Sequence, residues 1–246
     1  IHLAANKAAG ESMTNPSDYS KNNIIGGINL IRACEEYGIN KFIFSSSAAV
    51  YGAPEYNPID ELHPLAPSNF YGYTKLAIEN NLSWFSRLKG LRYAALRYFN
   101  AAGYDINQRI IGKEINPQNL IPIVMEVASG TRKKLSVFGN DYSTKDGTGI
   151  RDYIHVSDLA CGHIMALNYL IKHEKDLTVN LGTGDGHSVL DIISMARKVS
   201  NKKIEYEFTG RRDGDPGKVI AAGDNAKKLI NWDPKYSELH TIISST

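Results

Sequence analysis

Apolar positions in the first hundred residues switch between two periods. Between about Pro16 and Tyr37, Ile24, Ile28, Ile31 and Cys34 recur at helical spacing and predict one long helix. Lys41-Phe-Ile-Phe-Ser45 is a short, continuous apolar run of the kind that parallel strands show when both faces are covered. A second helix opens near Tyr71, with Ser68 or Asn69 as its cap and Leu76, Ala77, Ile78, Leu82 and Phe85 along it. Arg92–Tyr98 reads as the next strand, and Ile1–Ala5 as the end of an earlier one. Strand–helix alternation of this kind predicts βαβ units and a doubly wound α/β sheet.

The pattern changes after residue 100. Asn100–Asn119 is loop-like, and a helix is predicted over about Leu120–Ser129, then a strand at Leu135–Phe138. A polar loop, Gly139–Gly149, leads to a strand-like Arg151–Val156, a helix over about Ser157–His173 and a strand at Thr178–Leu181. Leu239–Thr246 follows a helical pattern. In doubly wound sheets a dinucleotide sits on a glycine-rich first turn at a helix N-terminus. That fingerprint is missing: Gly26-Gly27 lies inside a helical pattern, and Gly182-Thr-Gly184-Asp-Gly186 comes late with no acidic residue in register. The expectation is a chain that lacks its first βαβ portion and a little C-terminal sequence, and that is inactive by itself.

Composition narrows the class without choosing a function. The 246 residues are 42% hydrophobic and 22% charged with a net charge of +2, and their basic residues are dispersed, which argues against nucleic acid. No apolar run reaches the roughly 18–20 residues that span a bilayer. Cys34 and Cys161 fall in helical patterns without metal-like spacing, which suits a reducing, cytoplasmic compartment. The seven histidines show no ligand pairing, so no metal site is expected. The helices around Asn22–Cys34 and Asn69–Phe85 show no extra apolar stripe that would announce a subunit interface.

Candidate chemistry lies where the second strand meets the second helix. Ser45-Ser46-Ser47-Ala-Ala-Val-Tyr-Gly52 ends the strand, and Tyr71-Gly-Tyr-Thr-Lys75 opens the helix. Residues four apart on a helix share a face. Lys75 can therefore favour the ionised form of the Tyr71 phenol, and a serine hydroxyl can bond the same substrate oxygen. Such a device removes a proton from an alcohol while hydride leaves the adjacent carbon. With 14 tyrosines, a lone Tyr-x-x-x-Lys is a weak signal. Tyr37-Gly-Ile-Asn-Lys41 is such a decoy, since Gly38 and Asn40 end a helix and Lys41 starts a strand.

Together these motifs resemble the UDP-glucose 4-epimerases of the extended short-chain dehydrogenase/reductase superfamily. The likeness runs from His2 to about Trp232. It includes His2-Leu-Ala-Ala-Asn-Lys7, Asn22-Asn23, the serine run, Tyr71–Lys75, Arg97-Tyr98-Phe99-Asn100, Asn119-Leu120 and Phe138-Gly-Asn-Asp-Tyr. It continues through Asp146-Gly-Thr-Gly-Ile-Arg151, Asn180-Leu-Gly-Thr-Gly and Arg211-Arg212-Asp-Gly-Asp215. The resemblance implies a Rossmann-like doubly wound parallel sheet, its first βαβ portion missing, with a smaller C-terminal α/β substrate lobe. Residues 1–100 would be the remainder of the NAD-binding domain. Residues 101–246 would be mainly the UDP-sugar lobe, with about 150–185 returning to the first domain.

The implied reaction interconverts UDP-galactose and UDP-glucose through a transient 4-keto sugar with tightly held NAD. Tyr71 would take the 4-hydroxyl proton, with Ser47 (Ser46 as the alternative) on the same oxygen, and Lys75 would tune Tyr71 and bond the nicotinamide ribose. Lys7, Asn22, Tyr98 and Phe99 would contact the cofactor. For the UDP-hexose, Arg151 and Arg212 suit the diphosphate because guanidinium forks match phosphate geometry. Asn100, Asn119 and Leu120 would line phosphate and sugar, Ser136 and Phe138 the uracil, and Asp215 the ribose. Val219 stands where a tyrosine would narrow the pocket, which implies room for UDP-N-acetylhexosamines. The full-length protein would be a homodimer. Nucleotide-sugar 4,6-dehydratases or decarboxylases are the nearest alternative, yet no carboxylate interrupts Ser45–Ala49. A non-catalytic NAD-sensing homologue is the other, weakened by the presence of Ser47, Tyr71 and Lys75.

Overall fold

The computed structural model describes every residue except 111, 113 and 213. The opening segment forms an edge line in which His2 bridges Phe44 in parallel register. Helices α1 (Ala9–Thr14) and α2 (Pro16–Tyr19) then lead through a π-helical turn at Ser20–Ile25 into α3 (Gly26–Glu36). The single helix expected over this stretch is thus interrupted. The wider turn carries Asn23, whose buried amide accepts from Asn6 N at 2.8 Å and donates to Asn6 O and Thr74 Oγ1, both at 3.0 Å. A π-turn re-aims side chains, and this one fastens the opening segment to the next helix.

Strand β1 (Lys41–Ser47) is followed by α4 (Phe70–Lys89), β2 (Arg92–Tyr98), β3 (Asn100–Ala102), α5 (Leu120–Ala128), β4 (Leu135–Phe138), β5 (Ile150–His155), α6 (Val156–His173) and β6 (Leu177–Leu181). Asn69 caps α4, its side-chain oxygen accepting from Gly72 N at 2.9 Å, and Gly90 ends it with φ +73°, a conformation glycine adopts without a Cβ penalty. Strands β1, β2 and β6 pair in that order, all parallel, from Lys41↔Arg92 to Ser47↔Tyr98 and from Ala94↔Leu177 to Tyr98↔Leu181. Alternating residues of β1 point to opposite faces. Phe42 and Phe44 pack on Ile31 of α3 and on Ile78 and Leu82 of α4. Ile43 packs with Leu159, Ala166 and Leu170 of α6 on the other face. The sheet is doubly wound, as the alternation predicts.

The remaining elements are β7 (Gly186–Ser188), α7 (Val189–Ser200), β8 (Tyr206–Thr209), β9 (Lys218–Val219), α8 (Asp224–Ile230) and α9 (Leu239–Ser244). Strand β5 pairs with β3 and β9 in parallel and with β7 antiparallel, while β4 pairs with β8. Helix α7 was missed by the reading of the sequence. Its signal is a capping box, with Ser188 Oγ accepting from Asp191 N at 3.1 Å and Asp191 accepting from Ser188 N at 2.9 Å, followed by buried Ile192, Ile193 and Ala196. Asp152 of β5 is fully buried and accepts from the backbone of Thr183, Gly184 and Ala221 at 3.0–3.2 Å, tying the Gly182–Gly186 loop to the segment after β9. Among the described residues no helix is long and apolar enough to cross a membrane.

Candidate active site

Tyr71 and Lys75 occupy the first two turns of α4, and the Tyr71 N–H donates to Ser12 Oγ at 3.0 Å, which anchors the helix start on α1. Lys75 Nζ donates to the Ser45 carbonyl at 2.7 Å and stands 5.7 Å from the centre of the Tyr71 ring and 5.0 Å from that of Phe44. Ser47, whose oxygen accepts from Ala49 N at 3.2 Å, also meets the Tyr71 phenol. The decoy pair stays apart: Tyr37 is exposed at the end of α3, and Lys41 on β1 bonds Glu174 at 2.9 Å.

The electrostatics differ from the expectation in one respect. Burial pushes the Tyr71 phenol up to about 12, outweighing the Ser47 hydrogen bond that favours its ionised form. Lys75 is engaged with the Ser45 carbonyl and does not offset this burial. Its own ammonium is pulled down to about 8 by burial, opposed by the Glu79 carboxylate. Among the expected pair, Lys75 is therefore the group moved toward neutral pH.

A cavity of about 360 Å³ opens over this cluster. Ser47, Tyr71, Tyr98, Phe99, Asn100 and Asn119 line it together with Lys7 and Leu120, so eight of the expected residues share one space. Lys7 is paired with Glu114 at 2.7 Å, a partner that the sequence did not suggest. Asn22 lies outside this cavity, exposed, its amide donating to Asn23 at 3.0 Å. The buried amide in this region is Asn23. Hydroxyl, phenol and ammonium donors around an aromatic wall suit the ribose and nicotinamide of NAD.

The expected diphosphate and nucleoside residues stand outside this cavity, on a separate wall. Arg212 stacks 3.8 Å over the Phe138 ring, and Ser136 lies half-buried on the same strand, β4. Arg151 bonds its own Ile150 carbonyl at 2.8 Å and forms a half-buried ion pair with Asp215, two groups that the sequence assigned to different parts of a ligand. Val219 on β9 pairs in register with Arg151 and packs on the cluster of Val50, Tyr51, Ile59, Phe99 and Ala221. Tyr142 was not foreseen. Arg211 stacks 4.2 Å over its ring, and its hydroxyl is the only buried side-chain N or O atom without a partner among the described residues.

Residues 1–182 match the NAD dependent epimerase/dehydratase family. The chain belongs to that family. Over 244 residues it is 46% identical to a UDP-glucose 4-epimerase of Halalkalibacterium halodurans, covering 99% of this chain and 73% of that protein. Among solved structures, the Brucella ovis UDP-glucose 4-epimerase in complex with NAD superposes with a TM-score of 0.97 at 41% identity, covering 100% of this chain and 76% of that one. The Bifidobacterium longum UDP-glucose 4-epimerase in complex with NAD+ and UDP gives 0.93 at 38% identity, covering 100% and 73%. These likenesses accord with the doubly wound fold, and the family itself is NAD dependent.

Proposed function

We propose that the protein is a UDP-hexose 4-epimerase, interconverting UDP-galactose and UDP-glucose. The observation that carries this reading is the convergence of Ser47 and Tyr71 on one cavity, with Lys75 buried behind them on the Ser45 carbonyl. Tyr71 takes the proton from the sugar 4-hydroxyl once its own phenol has ionised, a step that its burial opposes and the Ser47 hydrogen bond favours. Ser47 holds the same oxygen, and the phenol later returns the proton to the opposite epimer. NAD, when bound, supplies the site that accepts and returns the hydride. Lys7, Tyr98 and Phe99 hold the cofactor beside Tyr71, and Asn22 contacts it from outside the cavity. Arg151 and Arg212 take the diphosphate, Asn100, Asn119 and Leu120 the phosphate and sugar, Ser136 and Phe138 the uracil, and Asp215 the ribose. The free Tyr142 hydroxyl adds a donor on that wall.

The dehydratase alternative needs further acid–base groups at neighbouring carbons. None stands in Ser45–Ala49, and the nearby Glu79 is committed to Arg97. The test uses the full-length gene product, incubated separately with UDP-galactose and UDP-N-acetylgalactosamine, with Tyr71→Phe as control. Formation of the gluco epimers, abolished in the control, is the expected result. A 4-keto-6-deoxy product, or no conversion, would overturn the reading.

The partner is a second copy of the chain, in the cytoplasm. The sequence pattern hid the stripe that supports this: Tyr73, Trp84 and Leu88 of α4 are 52%, 56% and 69% exposed, and Leu30 of the neighbouring α3 is 45% exposed. One self-complementary helical face suffices for a two-fold interface. Light scattering should give twice the chain mass for the full-length protein and a monomer for Trp84→Glu/Leu88→Glu. An unchanged mass in the double variant sinks the assignment.

A further inference from the structure

Beneath Tyr71 and Lys75 lies a buried ion pair that the proposed reaction does not use. Glu79, one turn beyond Lys75 on α4, accepts from Arg97 of β2 twice, from Nε at 3.0 Å and from Nη2 at 2.6 Å. The two residues are 6% and 5% exposed. Ser46 donates its hydroxyl to the same carboxylate. The remaining guanidinium arm donates to the Tyr51 hydroxyl at 3.1 Å, which in turn donates to Asn180 Oδ1 at 2.7 Å. Three consecutive residues of β1 therefore meet three successive turns of α4: Ser47 meets Tyr71, the Ser45 carbonyl takes Lys75, and Ser46 bonds Glu79. Stability alone does not account for the pair, because well-packed apolar side chains commonly do as well in such places.

Resting on the epimerase reading, we propose that Glu79, fixed by Arg97, is a positioning residue for this site. It sets the register of α4 on β1 so that Tyr71 and Ser47 meet, and its carboxylate offsets the burial of the Lys75 ammonium. The groups around the Lys75–Tyr71 pair leave this task to Glu79. His2 from the opening segment and His163 from α6, which bonds Ser45 Oγ at 3.2 Å, are both shifted by burial toward the neutral form. Tyr19 from α2 and Tyr98 from β2 are shifted upward by burial and stay neutral as well. Arg97 from β2 is charged, and Glu79 stands as its partner beside Lys75.

Glu79→Gln keeps the side chain's size and its oxygen toward Arg97 and Ser46 while removing the charge. In the NAD-loaded full-length protein, the lysine ε-carbon signal of Lys75, assigned with Lys75→Met and followed by 13C NMR, should titrate about one pH unit lower. The alkaline limb of kcat/KM for UDP-galactose should move the same way. kcat should fall about 10- to 100-fold through misplacement, with KM within about twofold because Glu79 touches no substrate. Should Glu79→Gln fail to fold, the charge-balanced Glu79→Gln/Arg97→Gln variant carries the same test with a smaller downward move expected. A Lys75 titration that stays at its wild-type position in the folded variant overturns the proposal. Wild-type protein that binds NAD but converts no UDP-galactose would instead overturn the epimerase reading, and the NMR comparison still decides the role of Glu79.

Discussion

The two walls of the candidate site are built on different principles. On the first, Ser47, Tyr71 and Lys75 come from the end of β1 and the start of α4. These regular elements are held by sheet register, by the Asn69 cap and by the buried Glu79–Arg97 pair. On the second, Arg151, Asp215, Arg212 and Phe138 come from strand ends and loops, and they satisfy one another in part: Arg151 on Asp215, Arg212 on Phe138. Acid–base chemistry tolerates little displacement, since a misplacement of about 1 Å can cost about 10²-fold. Holding a flexible nucleotide needs donors that can exchange an internal partner for a ligand oxygen. The first wall should therefore govern kcat and the second KM.

The largest effect expected from this division is at Tyr71. Tyr71→Phe keeps the ring in its packing and removes only the hydroxyl that, under the proposed function, moves the proton. kcat should fall by about 10³-fold, within the range for a positioned acid–base group, while KM for UDP-galactose changes little. Steady-state kinetics on the full-length enzyme reads both constants. A large rise in KM with kcat preserved would put Tyr71 on the binding wall and break the comparison.

Arg212→Ala should do the reverse. Losing charge-assisted bonds to a diphosphate costs about 1.5–3 kcal/mol, or roughly 10- to 150-fold in KM, with kcat close to wild type. Arg212→Lys should recover only part of this, because an ammonium cannot supply the planar fork or stack as flatly on Phe138. A loss confined to kcat would show that the arginine wall reaches the reacting carbon.

How much of this was legible in the sequence follows the same division. The sheet, α4 and α6 announce themselves because buried faces impose apolar periodicity, and β2 was read to the residue from its apolar pattern. The π-turn at Ser20–Ile25 was illegible because Ile24, Ile28 and Ile31 keep helical spacing through it, and only the inward turn of Asn23 betrays it. The Ser-Tyr-Lys cluster was legible as a motif, its electrostatics were not. Whether burial or a nearby ammonium dominates a phenol depends on where Lys75 Nζ ends up, and it ends on the Ser45 carbonyl. Glu79 was silent because a glutamate in the middle of a helix is ordinarily a solvated charge; only Arg97, 18 residues away, makes it a buried one. The exposed Tyr73, Trp84 and Leu88 were hidden in the same helix by the apolar face that packs inward.

The smallest effect concerns where the two walls touch. Val219 pairs with Arg151 on β5 and packs on a cluster containing Phe99, which also lines the cavity above Tyr71. It is thus a backbone neighbour of the binding wall and a side-chain neighbour of the catalytic one. Tyrosine there would occupy several carbons' worth of additional space against that cluster and, under the proposed function, would take it from the room an N-acetyl group needs. Pocket contacts of this size discriminate by about 10- to 200-fold. Val219→Tyr should therefore lower kcat/KM for UDP-N-acetylgalactosamine by about tenfold relative to UDP-galactose, whose own value stays within about twofold. The ratio of the two specificity constants is the measurement. If both substrates lose equally, the substitution has disturbed Phe99 and the catalytic wall, and Val219 belongs to the packing of the site, with no part in choosing the sugar.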